Sequence, residues 1–162
     1  MIATLLTGSN APEREPILQR TAALLAERIG SVVALSRIYS SQAWGFSAEE
    51  PFANQALRLR TSLTPLQVLD VALEVEQIVG RDRAQEAWEK SLTGERYASR
   101  VVDVDVMFCD DEIISEPRLC VPHPLLHERE FALEPLCEIM GDYCHPVLQR
   151  SLQDIYSELK SK

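Results

Sequence analysis

The chain has 162 residues, 46% hydrophobic and 25% charged, enough for one domain (1–162) with a full core and no staples. No apolar run is long enough for a membrane span, and the start, Met1-Ile2-Ala3-Thr4-Leu5-Leu6-Thr7, has neither a basic n-region nor a cleavage site, so a cytoplasmic protein without a signal peptide is expected. A net charge of −9 argues against a general nucleic-acid binder, which needs a basic face to displace counterions from phosphates.

Residues 2–7 read as a short buried strand broken by Gly8-Ser9-Asn10. Asn10 is suited to cap the next helix, with Pro12 near its first turn and Ile17, Leu18, Leu24, Leu25 and Ile29 forming its apolar stripe up to Gly30. Residues 31–39 predict a second strand ending at Tyr39, and 40–51 a polar loop. Phe52 to Thr61 alternates again as an antiparallel partner. Thr64-Pro65 marks a helix start, and Leu66, Leu69, Leu73 and Val79 carry that helix to Gly80. From 81 to 99 the apolar periodicity fails and charge dominates, which predicts a long mobile catalytic loop. After an apolar strand at 101–108, Asp110-Asp111 suits a turn, Pro-interrupted segments follow, and Leu152, Ile155, Tyr156 and Leu159 predict a final helix. Strands and helices in this order predict an α+β domain with one open sheet covered mainly by helices. Cys109, Cys120, Cys137 and Cys144 have no CxxC spacing and read as reduced core thiols. A zinc site made from Cys120, His123, Cys144 and His145 lacks finger or ribbon spacing.

The most informative segment is Arg100-Val101-Val102-Asp103-Val104-Asp105-Val106. Successive strand side chains point to opposite faces, so Asp103 and Asp105 share one face while Val102, Val104 and Val106 fill the other. A solvated strand face carries such a pair by chance often enough. Carboxylates this close nevertheless repel, a cation between them removes the repulsion, and upstream arginines suit a polyanion such as a nucleotide triphosphate arriving with that cation. A metal-dependent nuclease built on the same pair is disfavoured by the net acidity.

Gly8-Ser9-Asn10 after the first strand, Tyr39 before a loop ending Phe52-Ala53-Asn54, Glu76 before Gly80-Arg81, Arg100-x-x-Asp103-x-Asp105, and Val121-Pro122-His123-Pro124 leading to Arg129-x-Phe131 together resemble the hydroxymethyldihydropterin pyrophosphokinase family. The order and spacing match over nearly the whole chain. Ala98-Ser99-Arg100 replaces the Gly-Pro-Arg usual before the acidic strand, and Gln42-Ala43 replaces a proline pair. The resemblance implies a ferredoxin-like α/β sandwich with a mainly antiparallel sheet, and transfer of pyrophosphate from ATP to a pterin hydroxymethyl group with release of AMP. It also implies a monomer whose partners are small molecules, with no nucleic acid or membrane.

Residue by residue, the resemblance implies that Asp103 and Asp105 hold two magnesium ions, with Arg81 and Arg100 as further catalytic groups. Glu76, Arg83, Arg118, His123 and Arg129 fall where the family binds ATP. Ser41, Gln42, Trp44, Phe52, Asn54 and Phe131 fall where it binds pterin, the two phenylalanines as a sandwich for the flat ring. A non-catalytic pterin- or nucleotide-binding homologue is the alternative, which the retained carboxylate pair disfavours.

Overall fold

The computed structural model describes residues 1–41, 52–91 and 101–162, with the side chains of 41 and 81–91 left undescribed. Strand β1 (Ile2–Ser9) lies inside a five-stranded antiparallel sheet and pairs on one side with β4 (Phe52–Arg60) and on the other with β5 (Asp103–Cys109). Strand β2 (Ser31–Leu35) and the short β3 (Tyr39–Ser41) both pair with the far edge of β4.

Helices cover both faces, which is why β1 reads as a continuous apolar run. Helices α1 (Arg14–Arg28) and α2 (Pro65–Ser91) bury Ile17, Leu18, Leu25, Val68, Ala72 and Val75 against Leu5, Leu57, Leu59, Val104 and Val106. On the other face, α3 (Glu130–Met140) and α4 (Leu152–Lys160) bury Leu133, Leu136, Leu152 and Ile155 against Leu6, Ala56 and Phe108. The result is the expected α+β sandwich. A small hairpin, β6 (Ile114–Ser115) with β7 (Cys120–Val121), follows β5, and the Val121–Pro122 peptide bond is cis. All four cysteines are free thiols. No helix among the described residues is long and apolar enough to cross a membrane.

Several expected boundaries move, each for a local reason. Gly8 and Ser9 do not break β1 but extend it, pairing with Asn54 and Ala53. Asn10 is not the cap of α1: the helix begins after Glu13, which makes no side-chain cap bond, while the Ser9 hydroxyl accepts the Ala11 N–H. The single strand expected over 31–39 is two strands, because Ser36 interrupts the ladder by accepting the Ala56 N–H on its side-chain oxygen.

Helix α2 starts as expected, with the Thr64 hydroxyl accepting the Gln67 N–H and the Gln67 amide oxygen accepting the Thr64 N–H. It does not stop at Gly80. Residues 81–91 are helical rather than loop, because Arg, Ala, Gln, Glu and Lys are strong helix formers and a single interior glycine costs only about 1 kcal/mol. The rest of the expected catalytic loop, 92–99, lies outside the described residues. The unexpected element is α3, hidden in the sequence by Pro135 inside it.

Candidate active site

Opposite residues of antiparallel strands share a face, so the strand registers place side chains in rows across the sheet. Tyr39 pairs with Asn54, Asn54 with Gly8, and Gly8 with Asp103. The next row is Ala56, Leu6 and Asp105. Leu6 and Ala56 pack under α3 and α4, so both aspartates lie on that side of the sheet, each half-buried. The expected shared face of Asp103 and Asp105, with Val102, Val104 and Val106 in the opposite core, is observed.

Simple alternation would carry this pattern to the end of β5, but the ladder with β1 shifts between Thr4 and Leu5. Leu5 faces Val106 and Thr4 faces Phe108, so Met107 is an extra residue, a bulge that turns Phe108 to the aspartate side. The Met107 carbonyl accepts the His123 N–H at 3.0 Å, and this anchors the Pro122-His123-Pro124 segment beside Asp105. His123 Nδ1 accepts the Leu125 N–H at 3.2 Å, so the neutral ring carries its proton on Nε2. Burial holds the imidazole below its ordinary value, against the opposing pull of Asp105 and with the help of Arg129. His123, Asp105 and Arg129 therefore occupy one electrostatic neighbourhood.

The Arg129 guanidinium lies 5.6 Å from the centroid of the Phe131 ring at the start of α3. Phe131 is 36% exposed and Phe52 is 38% exposed, whereas the core residue Phe108 is 1% exposed, so neither of the first two is core packing. Phe52 has the same parity on β4 as Asn54 and Ala56, and α3 packs across β3 and β4. Asn54 is 5% exposed. Its amide nitrogen donates to the Thr7 carbonyl at 3.4 Å, while its oxygen has no partner among the described residues. A buried amide oxygen left unsatisfied costs free energy, and a ligand with a polar edge would recover it.

Glu76 on α2 reaches the outer edge of β5, where its carboxylate accepts the Val104 N–H at 2.7 Å. It thus steadies the strand between the two aspartates. Arg118 pairs with Asp70 on the exposed side of α2. Arg81 and Arg83 stand on α2 and Ser41 on β3, paired with Phe52, with their side chains undescribed. Gln42, Trp44 and Arg100 lie outside the described residues.

Two contributors escape sequence reading. Gly8 is the notch over which the Asn54 amide lies: a Cβ there would stand 2.6 Å from Nδ2. Ser9 donates to the Val101 carbonyl at 2.7 Å and so pins the chain just before the acidic strand. The Gly-Ser-Asn motif signals both positions but not these contacts.

The arrangement is an open antiparallel sheet in a small α+β domain, with paired carboxylates, a histidine, an arginine and exposed aromatic faces gathered on one side. Residues 4–141 match the model of the 7,8-dihydro-6-hydroxymethylpterin-pyrophosphokinase family. The chain belongs to that family. The 2-amino-4-hydroxy-6-hydroxymethyldihydropteridine pyrophosphokinase of Aquifex aeolicus is 32% identical over 93% of this chain and 88% of its own length. The Methylorubrum extorquens protein of the same name is 36% identical over 86% of this chain and 83% of its own. Among solved structures, a Plasmodium falciparum HPPK-DHPS variant with SDX-DHP superposes with a TM-score of 0.76 over 99% of this chain, at 16% identity. This chain spans 45% of that longer one, and the likeness supports the fold alone.

Proposed function

We propose that the sheet end around Asp103, Asp105 and Asn54 brings ATP and the pterin together for the reaction of the family. That reaction transfers pyrophosphate from ATP to the hydroxymethyl group of 6-hydroxymethyl-7,8-dihydropterin and releases AMP, a step of folate biosynthesis. The observation that carries the site assignment is the row Asn54, Gly8, Asp103. It sets a buried amide oxygen, without a partner among the described residues, on the same face as a carboxylate, with β1 lying between their two strands.

The donor set suits magnesium. Asp103 and Asp105 offer hard oxygens on one face, and among the described residues no third acidic or histidine ligand completes a protein-only cage, which leaves positions for phosphate and water. Bound there, magnesium would neutralise phosphate charge and orient the β-phosphoryl group.

The chain's own groups do the remaining work. Phe52 and Phe131 offer flat faces to the pterin ring, and Asn54 offers donor and acceptor to its edge, with Ser41, Gln42 and Trp44 as further contributors to pterin binding. Arg129, stacked on Phe131, links the pterin pocket to the phosphates, and His123 Nε2–H is a neutral donor beside them. Arg81, Arg83, Arg100 and Arg118 supply cationic forks for a triphosphate whose charge shifts towards the leaving AMP, and Glu76 holds β5 in place. Holding the pterin hydroxyl against the β-phosphorus contributes through alignment rather than covalent chemistry.

Incubation with the dihydropterin, ATP and magnesium, with products separated by chromatography and weighed by mass spectrometry, tests this reading. AMP and pterin diphosphate in equal amounts are expected. ADP with a pterin monophosphate would contradict it, and tight binding of both substrates with no product would mean a non-catalytic homologue.

A further inference from the structure

Helix α3 carries the Phe131 wall of the pocket, while β3 and β4 carry the Asn54 and Phe52 side. Something must fix the gap between them. Seven residues beyond Phe131, and so on the same face two turns along α3, stands Glu138. Its Oε1 accepts the Tyr39 hydroxyl at 2.7 Å, the Arg37 backbone N–H at 3.1 Å and the Arg37 Nε–H at 3.4 Å. Arg37 in turn donates from Nη2 to the Tyr39 oxygen at 2.9 Å, and its guanidinium lies 5.2 Å from the centroid of the Tyr39 ring. Tyr39 is the β3 residue paired with Asn54.

We infer that Glu138 is a positioning residue for the pterin pocket, tying α3 to β3 and thereby setting the distance between the Phe131 wall and the Asn54 row. The inference rests on the pterin assignment proposed above. The Arg37 side chain is 77% exposed, so its ion pair with Glu138 is screened by water and contributes little. The tie is made by the tyrosine hydroxyl and the Arg37 backbone N–H. That N–H lies in the gap between β2 and β3, where the ladder is interrupted. Tyr39 is held protonated and Glu138 ionised by the same bond, which fits a hydroxyl donor meeting a carboxylate acceptor. Pro135 makes the tie more necessary. It has no N–H for the Phe131 carbonyl one turn back, so the first turn of α3 is held less firmly by its own ladder.

The test is calorimetric binding of 6-hydroxymethyl-7,8-dihydropterin in the presence of magnesium and α,β-methylene-ATP, which cannot release AMP, together with binding of that nucleotide alone. Glu138→Ala is expected to weaken pterin binding about tenfold and to leave nucleotide binding within about twofold. Glu138→Gln, whose amide oxygen still accepts both bonds, restores most of the pterin affinity. Equal losses for pterin and nucleotide, unchanged pterin affinity in Glu138→Ala, or a glutamine variant as weak as the alanine one would overturn the inference. Should Glu138→Ala not fold, Tyr39→Phe decides alone, with about threefold weaker pterin binding expected and no change contradicting it. Pterin binding by the unaltered chain is measured in the same series. Its absence would remove the proposed function, whereas its presence with indifferent variants removes only the role of Glu138.

Discussion

Substituting Gly8→Ala places a methyl group 2.6 Å from the Asn54 amide nitrogen, well inside contact distance. The backbone itself tolerates the change, because Gly8 lies in a regular strand and not in a left-handed conformation. Alanine in a strand interior gains about 0.5–1 kcal/mol over glycine, while overpacking costs about 1–3 kcal/mol. The atom met is the end of a side chain, which can swing aside, so the fold should lose no more than about 2 kcal/mol. Recognition loses more. Under the proposed assignment a displaced Asn54 amide would no longer meet the pterin edge, and one or two unpaired hydrogen bonds cost about 1–3 kcal/mol, or roughly 5- to 150-fold in Kd. Calorimetry with the dihydropterin and α,β-methylene-ATP, alongside a thermal melt, measures both terms. The variant combining Gly8→Ala with Asn54→Ala should bind pterin no worse than Asn54→Ala, since both substitutions remove the same contact. Unchanged pterin affinity in Gly8→Ala, or additive losses in the double variant, would refute the reasoning.

Phe131→Ala should weaken pterin binding by at least about 1 kcal/mol beyond lost contact area and should also loosen Arg129, so nucleotide affinity falls less but measurably. Glu76→Ala strips the partner from the Val104 N–H at the sheet edge and should cost about 1–3 kcal/mol in a denaturant titration, with Glu76→Gln costing less. His145 is 3% exposed, its Nδ1 accepts the Val147 and Leu148 N–H groups, and burial first, then His127, hold it below the ordinary 6.5. The unfolded chain therefore binds a proton that the folded chain refuses. The stability contributed by this residue is complete above 6.5 and declines as pH falls below it, and His145→Asn, which keeps an acceptor but cannot titrate, should flatten that decline in melts taken across the range.

The acidic pair is legible in the sequence because two charges in an apolar strand contradict the pattern around them, and a strand period of two leaves no freedom about which face they share. The Met107 bulge is not legible. Val-Asp-Val-Asp-Val-Met-Phe-Cys reads as unbroken alternation, and only the register against β1 shows that Phe108 and Cys109 exchange faces. Helix α3 has a clear apolar stripe in Ala132, Leu133, Leu136 and Met140, yet Pro135 and the prolines before it argue for broken chain until the packing on Leu6 and Phe108 is seen. In 81–91 the reverse holds. The segment carries no apolar period, and helix propensity alone marks it. Asn54 is legible as a polar residue in an apolar strand, but the register alone shows that its amide nitrogen lies over Gly8, and that its oxygen has no partner among the described residues is a tertiary feature.

The central claim, that Asp103 and Asp105 hold the metal that presents ATP, is tested most directly by titrating the chain with α,β-methylene-ATP, with and without magnesium. Asp103→Asn and Asp105→Asn, which keep shape and remove charge, are titrated beside it. The unaltered chain should bind the nucleotide at least about tenfold more tightly with magnesium than without, and each asparagine variant should lose most of that gain. A magnesium-dependent gain that survives in both variants would contradict the assignment.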